Sequence, residues 1–497
     1  MPDQDRQFLG TFQDRLAISR ESAAVTYPGL LCPSKAKGTL HPVFPPPRRN
    51  IRRQLFWMVL VALLVRLIVV AFIYPRDLDP SFNHWFFGFE EGRVARAIAT
   101  GHGFSDPLWG HTGPTAWYAP IYPYILALDF KLFGVFTTSA CIAILCFQSL
   151  VSALACLPIF FFTRRSFGEG AALAAGWVWV VYPYSVYWPI VRIWETWLAM
   201  SLLAVLFLLV QKLARSSKLS HWLSFGLLSG FAALLDPALL SVLPFLALWA
   251  VWRLHSQGKR WFAPAVTAVL AVILVLSPWM IRNAVVFHKF IPIRDNLALE
   301  FRVGNDGNAR ETMDLYAGPW LPWVNDIEWN QYQRMGEIAY FQLKGHQAFR
   351  YIEAHPLWYA GMTVRRIGFV WTGFWSASSR YINEQTYDPA AVSLLTLLSV
   401  LMFMGLHRAF RKKGAGVAMP YAIILFFFPL IYYLTHVERW YRCPMEPFVI
   451  ALASYEVHAR AAAWLRRRRA IRAAYRLPAM LPPPRQELPA ATFSESD

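Results

Sequence analysis

The stretch QLFWMVLVALLVRLIVVAFIY, residues 54–74, contains a single charged residue, Arg66. At the helical rise per residue, a segment of this length covers about 30 Å, the hydrocarbon thickness of a bilayer. Further apolar runs follow at 139–162, 171–188, 196–211, 222–236, 238–252, 262–281, 391–406, 418–436 and 446–463. The expected fold class is an all-α polytopic membrane protein with about 10–13 transmembrane helices and interfacial helices on its outer face. Arg66 inside the first run reads as an interhelical or snorkelling arginine.

Composition agrees with this reading. Of 497 residues, 56% are hydrophobic and only 16% charged, well short of the charged share of a soluble domain. The long apolar blocks exclude a disordered chain. Lys and Arg number 48 against 30 Asp and Glu, a net charge of +18. That charge is unevenly distributed. With residue 1 on the cytoplasmic side, the inside segments are 1–53, 163–170, 212–221, 253–260, 407–417 and 459–497. They hold 29 basic and 8 acidic residues. Such asymmetry reads as orientation in a membrane, both termini cytoplasmic, and not as nucleic-acid binding. The five cysteines fit neither a disulfide framework nor a zinc site.

The spans divide the chain. Residues 1–53 read as a basic, disordered cytoplasmic tail, not a cleavable signal peptide. Residues 54–281 form an N-terminal transmembrane module whose first outer loop is 75–138. Residues 282–390 form a large outer region with 11 acidic and 11 basic residues. C-terminal transmembrane helices occupy 391–463, and a second basic cytoplasmic tail occupies 464–497. Two short apolar stretches, 120–136 and 356–376, read as interfacial or re-entrant helices.

The expensive residues mark where chemistry can sit. Glu90 and Glu91 open a helical pattern in the first outer loop. They precede a Gly/Pro-rich run that contains His102 and His111. Glu195 stands at the outer mouth of a span between Trp194 and Trp197, where an acid needs a partner or a task. Asp236, before Pro237, reads as a helix cap. Arg282, Asn283 and Arg294 follow one span, and Arg439 and Arg442 flank Trp440 and Tyr441 at another. Arginine forks bind phosphate bidentately. Acids able to act as a base, beside arginines able to hold a phosphate, point to group transfer from a lipid phosphate. No GxxxxGK[ST], GxGxxG or HExxH motif occurs.

Four segments then carry a resemblance: GFEEGRVARAIATGHGFSDP, APIYPYILALDFKLFG, YPYSVYWPIVRIWETWLA, and SPWMIRNAVVFHKFIPIRDN together with GN at 304–305 and ERWYRCPMEPF. In this order the chain resembles GT-C-type membrane glycosyltransferases, the broad family that includes protein O-mannosyltransferases and the lipid A aminoarabinose transferase. The resemblance covers roughly residues 54–456. It implies a polyprenyl-phosphate-linked sugar donor, an acceptor hydroxyl on a protein, lipid or glycan, and chemistry on the periplasmic or outer face of a bacterial inner membrane. By position it makes Glu90 the first-loop acid and the expected general base, with Glu91 as fallback, and Glu195 the second acid, expected to orient the acceptor. Arg439 and Arg442 match the family's basic C-terminal signature. With Arg282 and Arg294 they are the expected donor-phosphate ligands, and His111, Tyr118, Asn283, Asn305 and Tyr441 are the expected pocket residues. Glu195 is also a possible ligand for a divalent cation, although one acid defines no metal site. Two competing readings are a lipid-linked substrate transporter or flippase, whose acids would line a central cavity, and a non-enzymatic scaffold of an envelope-assembly complex.

Overall fold

In a computed structural model, the described residues are 49–77, 87, 89–307, 309, 321–322, 325–375 and 389–476. All but Arg49 belong to one compact unit, Asn50–Asp497. Residues 1–48 and 477–497 of the two expected tails lie outside the described residues. So do parts of the loops 75–138 and 282–390.

The described chain is helical, with one isolated antiparallel bridge between Ser105 and Pro114. Its first helices are α1 (Arg49–Asp77), α2 (Glu90–Ala99), α3 (Ile121–Phe133), α4 (Thr138–Leu154) and α5 (Cys156–Phe167). Then come α6 (Glu169–Val181), α7 (Pro183–Val191), α8 (Thr196–Leu213), α9 (Leu219–Leu235), a 3₁₀ turn (Pro237–Ser241), α10 (Leu243–His255) and α11 (Phe262–Phe287). The segment after α11 supplies α12 (Leu297–Gly304), α13 (Asp326–Met335), α14 (Glu337–Ala354) and α15 (Pro356–Thr372). The chain returns through α16 (Pro389–Lys413), α17 (Ala415–Phe427), α18 (Leu430–Leu434), a 3₁₀ turn (Cys443–Met445) and α19 (Glu446–Arg476).

Seven segments among the described residues are long and apolar enough to cross a membrane: Asn50–Phe72, Thr138–Phe167, Thr196–Leu213, Pro237–His255, Phe262–Phe287, Pro389–Lys413 and Ala415–Leu434. The chain is an integral membrane protein. Two further expected spans, 171–188 and 222–236, correspond to the shorter apolar helices Glu169–Val181 and Leu219–Leu235. The tenth, 446–463, lies in α19, whose first turns carry the buried acids Glu446 and Glu456. That helix then continues to Arg476, so the described part of the expected C-terminal tail is helical.

The break in the expected span 171–188 has a local cause. α6 stops at Val181, Tyr182 is extended (φ −65°, ψ 118°), and α7 restarts on Pro183 and contains Pro189. Each proline lacks the N–H that a helix would donate four residues back, which frees the carbonyls of Trp179 and Ser185. Neither is left bare. Ser185 Oγ (2.8 Å) and Arg66 Nη2 (3.4 Å) donate to the Trp179 carbonyl. Ser152 Oγ (2.8 Å) and Arg66 Nε (3.1 Å) donate to that of Ser185. Arg66 is therefore an interhelical group, fully buried, that satisfies a proline-broken helix.

Trp117, Tyr118, Leu299, Val303, Tyr332, Tyr340 and Phe341 form one apolar cluster. It joins the loop between α2 and α3 to α12–α14. Glu337 reinforces the junction by accepting from Thr115 Oγ1 (2.6 Å) and the Ala116 N–H (2.7 Å). The stretch 120–136 forms α3, whose 13 residues reach about 20 Å, short of a full crossing. It packs on α2, α4 and α9.

Candidate active site

The first loop places its acids at the start of α2, where a helix dipole favours them. The approach is tight. A Cβ at Gly92 would collide with the Phe87 carbonyl oxygen, so glycine here lets the first turn sit against the preceding chain. Glu90 and Glu91 are then buried, at 4% and 1% exposure. The Tyr118 hydroxyl donates to Glu90 Oε2 at 3.1 Å. Burial raises the Glu90 pKa, and the nearby Arg93 opposes the shift. Glu91 is raised further, by burial first and then by the negative charge of Glu195.

A cavity of about 340 Å³ lies beside these acids. Glu195, Asp236, Arg294, Glu300, Asn296 and His436 supply its polar wall, and Tyr118, Trp194, Tyr432 and Tyr441 its aromatic one. Several spans meet it end-on. Glu195 directly precedes the span Thr196–Leu213, Asp236 directly precedes Pro237–His255, and Tyr432 closes Ala415–Leu434. The cavity therefore sits at the ends of the membrane-crossing helices.

Its electrostatics are set by carboxylates around one arginine. Glu195 is pushed up to about 8, by burial and then by Asp236, with Arg294 opposing. Its Oε2 has no hydrogen-bond partner. Asp236 is raised by burial and restrained by Arg294. It also caps the turn that follows, accepting from the Ala238 N–H at 2.9 Å, so the cap expected from sequence is present and also lines the cavity. Glu300 is raised to about 7 by burial, again against Arg294, and accepts from Asn296 Nδ2 at 2.9 Å. Burial works against the charge on Arg294, but Asp236, Glu195 and Glu300 outweigh it and raise its pKa. His436 is lowered to about 4 by burial and then by Arg366, and so is neutral. Its Nε2 lies 2.9 Å from the Tyr441 hydroxyl.

The residues picked from sequence thus fall into two groups. Glu195, Arg294, Tyr118 and Tyr441 line the cavity, with Glu90 and Glu91 behind Tyr118 and Glu195. The others lie elsewhere. Arg282 donates to the carbonyls of Thr115 (2.7 Å) and Phe104 (2.8 Å) and lies over the Trp279 ring. Asn283 donates to Ile291 and Ile293 carbonyls. Asn305 binds the Phe301 and Leu434 carbonyls and receives Arg366. Arg442 is paired with Glu446 at 2.5 Å and donates to Val370, Trp371 and Ser399. Arg439 lines a separate cavity of about 460 Å³ with Tyr184, Trp188 and Phe374. His111 is exposed and contacts Asp106 at 3.2 Å.

Glu300, Asn296 and His436 were not singled out from sequence. Asn296 and Glu300 sit one helical turn apart at the start of α12, a spacing that could have flagged them. Nothing local marks His436. It reaches the cavity because α12 abuts residues 435–436, where a Cβ at Gly304 would meet the Thr435 carbonyl. Among the described residues, no three His, Cys, Asp or Glu side chains converge to hold a metal ion.

Residues 117–281 match the family model described as dolichyl-phosphate-mannose-protein mannosyltransferase. No curated protein matches the chain. Among solved structures it is similar to the archaeal oligosaccharyltransferase AglB from Archaeoglobus fulgidus, in complex with an inhibitory peptide and a dolichol-phosphate. That similarity has 13% identity and a TM-score of 0.48, over 86% of this chain and 52% of that one. It is also similar to ArnT from Cupriavidus metallidurans bound to undecaprenyl phosphate, at 14% identity and a TM-score of 0.34, over 83% and 78% of the two chains. The chain spans about half the length of the first of these. The resemblance to GT-C-type membrane glycosyltransferases carried by the four motifs is thus matched over residues 117–281 by the model of a family of that class.

Proposed function

We propose that this chain is a membrane glycosyltransferase that moves a sugar from a polyprenyl-phosphate carrier to an acceptor hydroxyl, with inversion at the anomeric carbon. The active face is periplasmic, in a bacterial inner membrane. The observation that carries this reading is the cavity itself. It sets the cation Arg294 against Glu195, Asp236 and Glu300, within aromatic walls and at the ends of the spans.

The chemistry follows from those groups. A carboxylate accepts the acceptor's proton as its oxygen bonds to the anomeric carbon. The bond from that carbon to the phosphate oxygen breaks, and the phosphate departs with the electron pair. Arg294 stabilises the charge that develops there. Glu195 is the base favoured by position, because its side chain lines the cavity opposite Arg294. Glu91 adjusts its proton affinity from behind through a hydrogen bond. Tyr118, Trp194 and Tyr441 offer faces on which a sugar ring can stack.

The test is a transfer assay with a panel of radiolabelled polyprenyl-phosphate sugars against membrane extract. Wild type should transfer one of them. Glu195→Gln should lose that activity with expression intact, and Glu90→Gln should also be severely impaired. Full activity in Glu195→Gln overturns the assignment of the base. Absence of transfer from every lipid-linked sugar overturns the function.

A further inference from the structure

Between α7 and α8 the chain leaves regular helix over residues 192–195: the Arg192 N–H still donates to the Trp188 carbonyl, but Arg192 is extended (φ −135°, ψ 116°). Backbone groups buried in such a segment need partners. One side chain supplies three of them. Gln148 on α4, only 2% exposed, donates through Nε2 to the carbonyls of Pro189 (2.8 Å) and Arg192 (3.1 Å). Its Oε1 accepts from the Trp194 N–H at 3.1 Å. The same oxygen accepts from the Tyr122 hydroxyl of α3 at 2.6 Å.

A primary amide offers two donors and two acceptor sites, and here all four are used. Tyr122 also fixes the orientation of the amide. With the oxygen held between Tyr122 and Trp194, the nitrogen faces the two carbonyls. The carbonyls freed by Pro183 and Pro189 are served by Arg66, Ser152 and Ser185. Gln148 serves a different stretch, the one that ends immediately before Glu195. The groups that face Glu195 are Glu91 from α2, Asp236 ahead of the 3₁₀ turn, and Arg294.

We propose that Gln148 is a positioning residue, which holds the backbone of 189–194 so that Glu195 stands at the cavity wall. Its consequence for rate rests on the glycosyl-transfer reading; its consequence for Glu195 does not.

The experiment uses the full-length chain purified in detergent, as wild type, Gln148→Met and Tyr122→Phe. Two measurements are made: steady-state kinetics, giving kcat and KM for the lipid-linked donor, and the pH at which Glu195 is half-labelled by a carbodiimide, followed by peptide mass spectrometry. Gln148→Met should lower kcat about 10–100-fold, the scale of a small misplacement of a reacting group, with KM changed less than about threefold. The labelling midpoint should fall from about 8, because burial is the largest cause of the elevation and the freed segment admits water. Tyr122→Phe should shift both readouts in the same direction by less. A folded Gln148→Met with wild-type kcat and midpoint overturns the proposal, as does a variant that loses only thermal stability. Should Gln148→Met not fold, an unchanged midpoint in Tyr122→Phe overturns it. If wild type transfers no lipid-linked sugar, the glycosyl-transfer reading falls and the labelling midpoints alone decide the role of Gln148.

Discussion

Glu195 holds its proton at neutral pH because burial, and then Asp236, raise its pKa to about 8. A base must be deprotonated to act, so transfer should climb as pH rises through about 8 and level off above it. Asp236→Asn removes one raising charge and should move that midpoint downward, in a pH–rate profile taken at saturating donor. Arg294 is the complementary case. Arg294→Ala should cost about 100-fold or more in kcat, the scale of removing one preorganised stabilising group. Arg294→Lys should recover part of that, because the charge remains without the planar fork. The residue scale also shows what was legible in sequence. Glu195, Arg294 and Tyr441 stand out as charges or polar aromatics at span ends, and they meet in the cavity. Arg282 and Arg442 give the same signal and are spent on backbone carbonyls, an indole face and Glu446. A charge near a membrane announces that it has a partner; whether that partner is a ligand or the protein depends on contacts far along the chain.

The helices α2 and α12 are placed by close backbone approach. Gly92→Ala would drive a methyl into the Phe87 carbonyl, and Gly304→Ala one into that of Thr435. Each should destabilise the protein by about 1–3 kcal/mol, the usual cost of overpacking, read as a lower thermal midpoint in detergent. The two should separate in function. Gly92→Ala disturbs Glu90 and Glu91, whereas Gly304→Ala moves α12 from His436 and opens the Glu300 side of the cavity. Most spans are legible as apolar runs. The break at Tyr182 was legible only in part. Pro183 and Pro189 are visible in the sequence, but the run 171–188 still reads as one crossing. Beyond the local Ser185 hydroxyl, the partners that satisfy the break come from α1 and α4, more than thirty residues earlier.

At the scale of the whole molecule, the asymmetry of basic residues predicts an orientation. A cysteine replacing His111, which is exposed, should react with an impermeant reagent added outside the cell. One replacing Gln257, in the turn after α10, should react only after permeabilisation. The reverse pattern would put the cavity on the cytoplasmic side. Arg66 has a further consequence, for the order in which the protein is built. The first span leaves the ribosome carrying a guanidinium near its centre, and a bare arginine there costs about 2.5–3.5 kcal/mol on insertion scales. Most of its hydrogen-bond acceptors, the carbonyls of Trp179, Val180 and Ser185 and the hydroxyl of Ser185, are synthesised more than a hundred residues later. Until then the Arg66 guanidinium lacks most of its partners. A nascent chain stopped before α6 should be extracted and degraded faster than one stopped after α7, and Arg66→Leu should erase that difference.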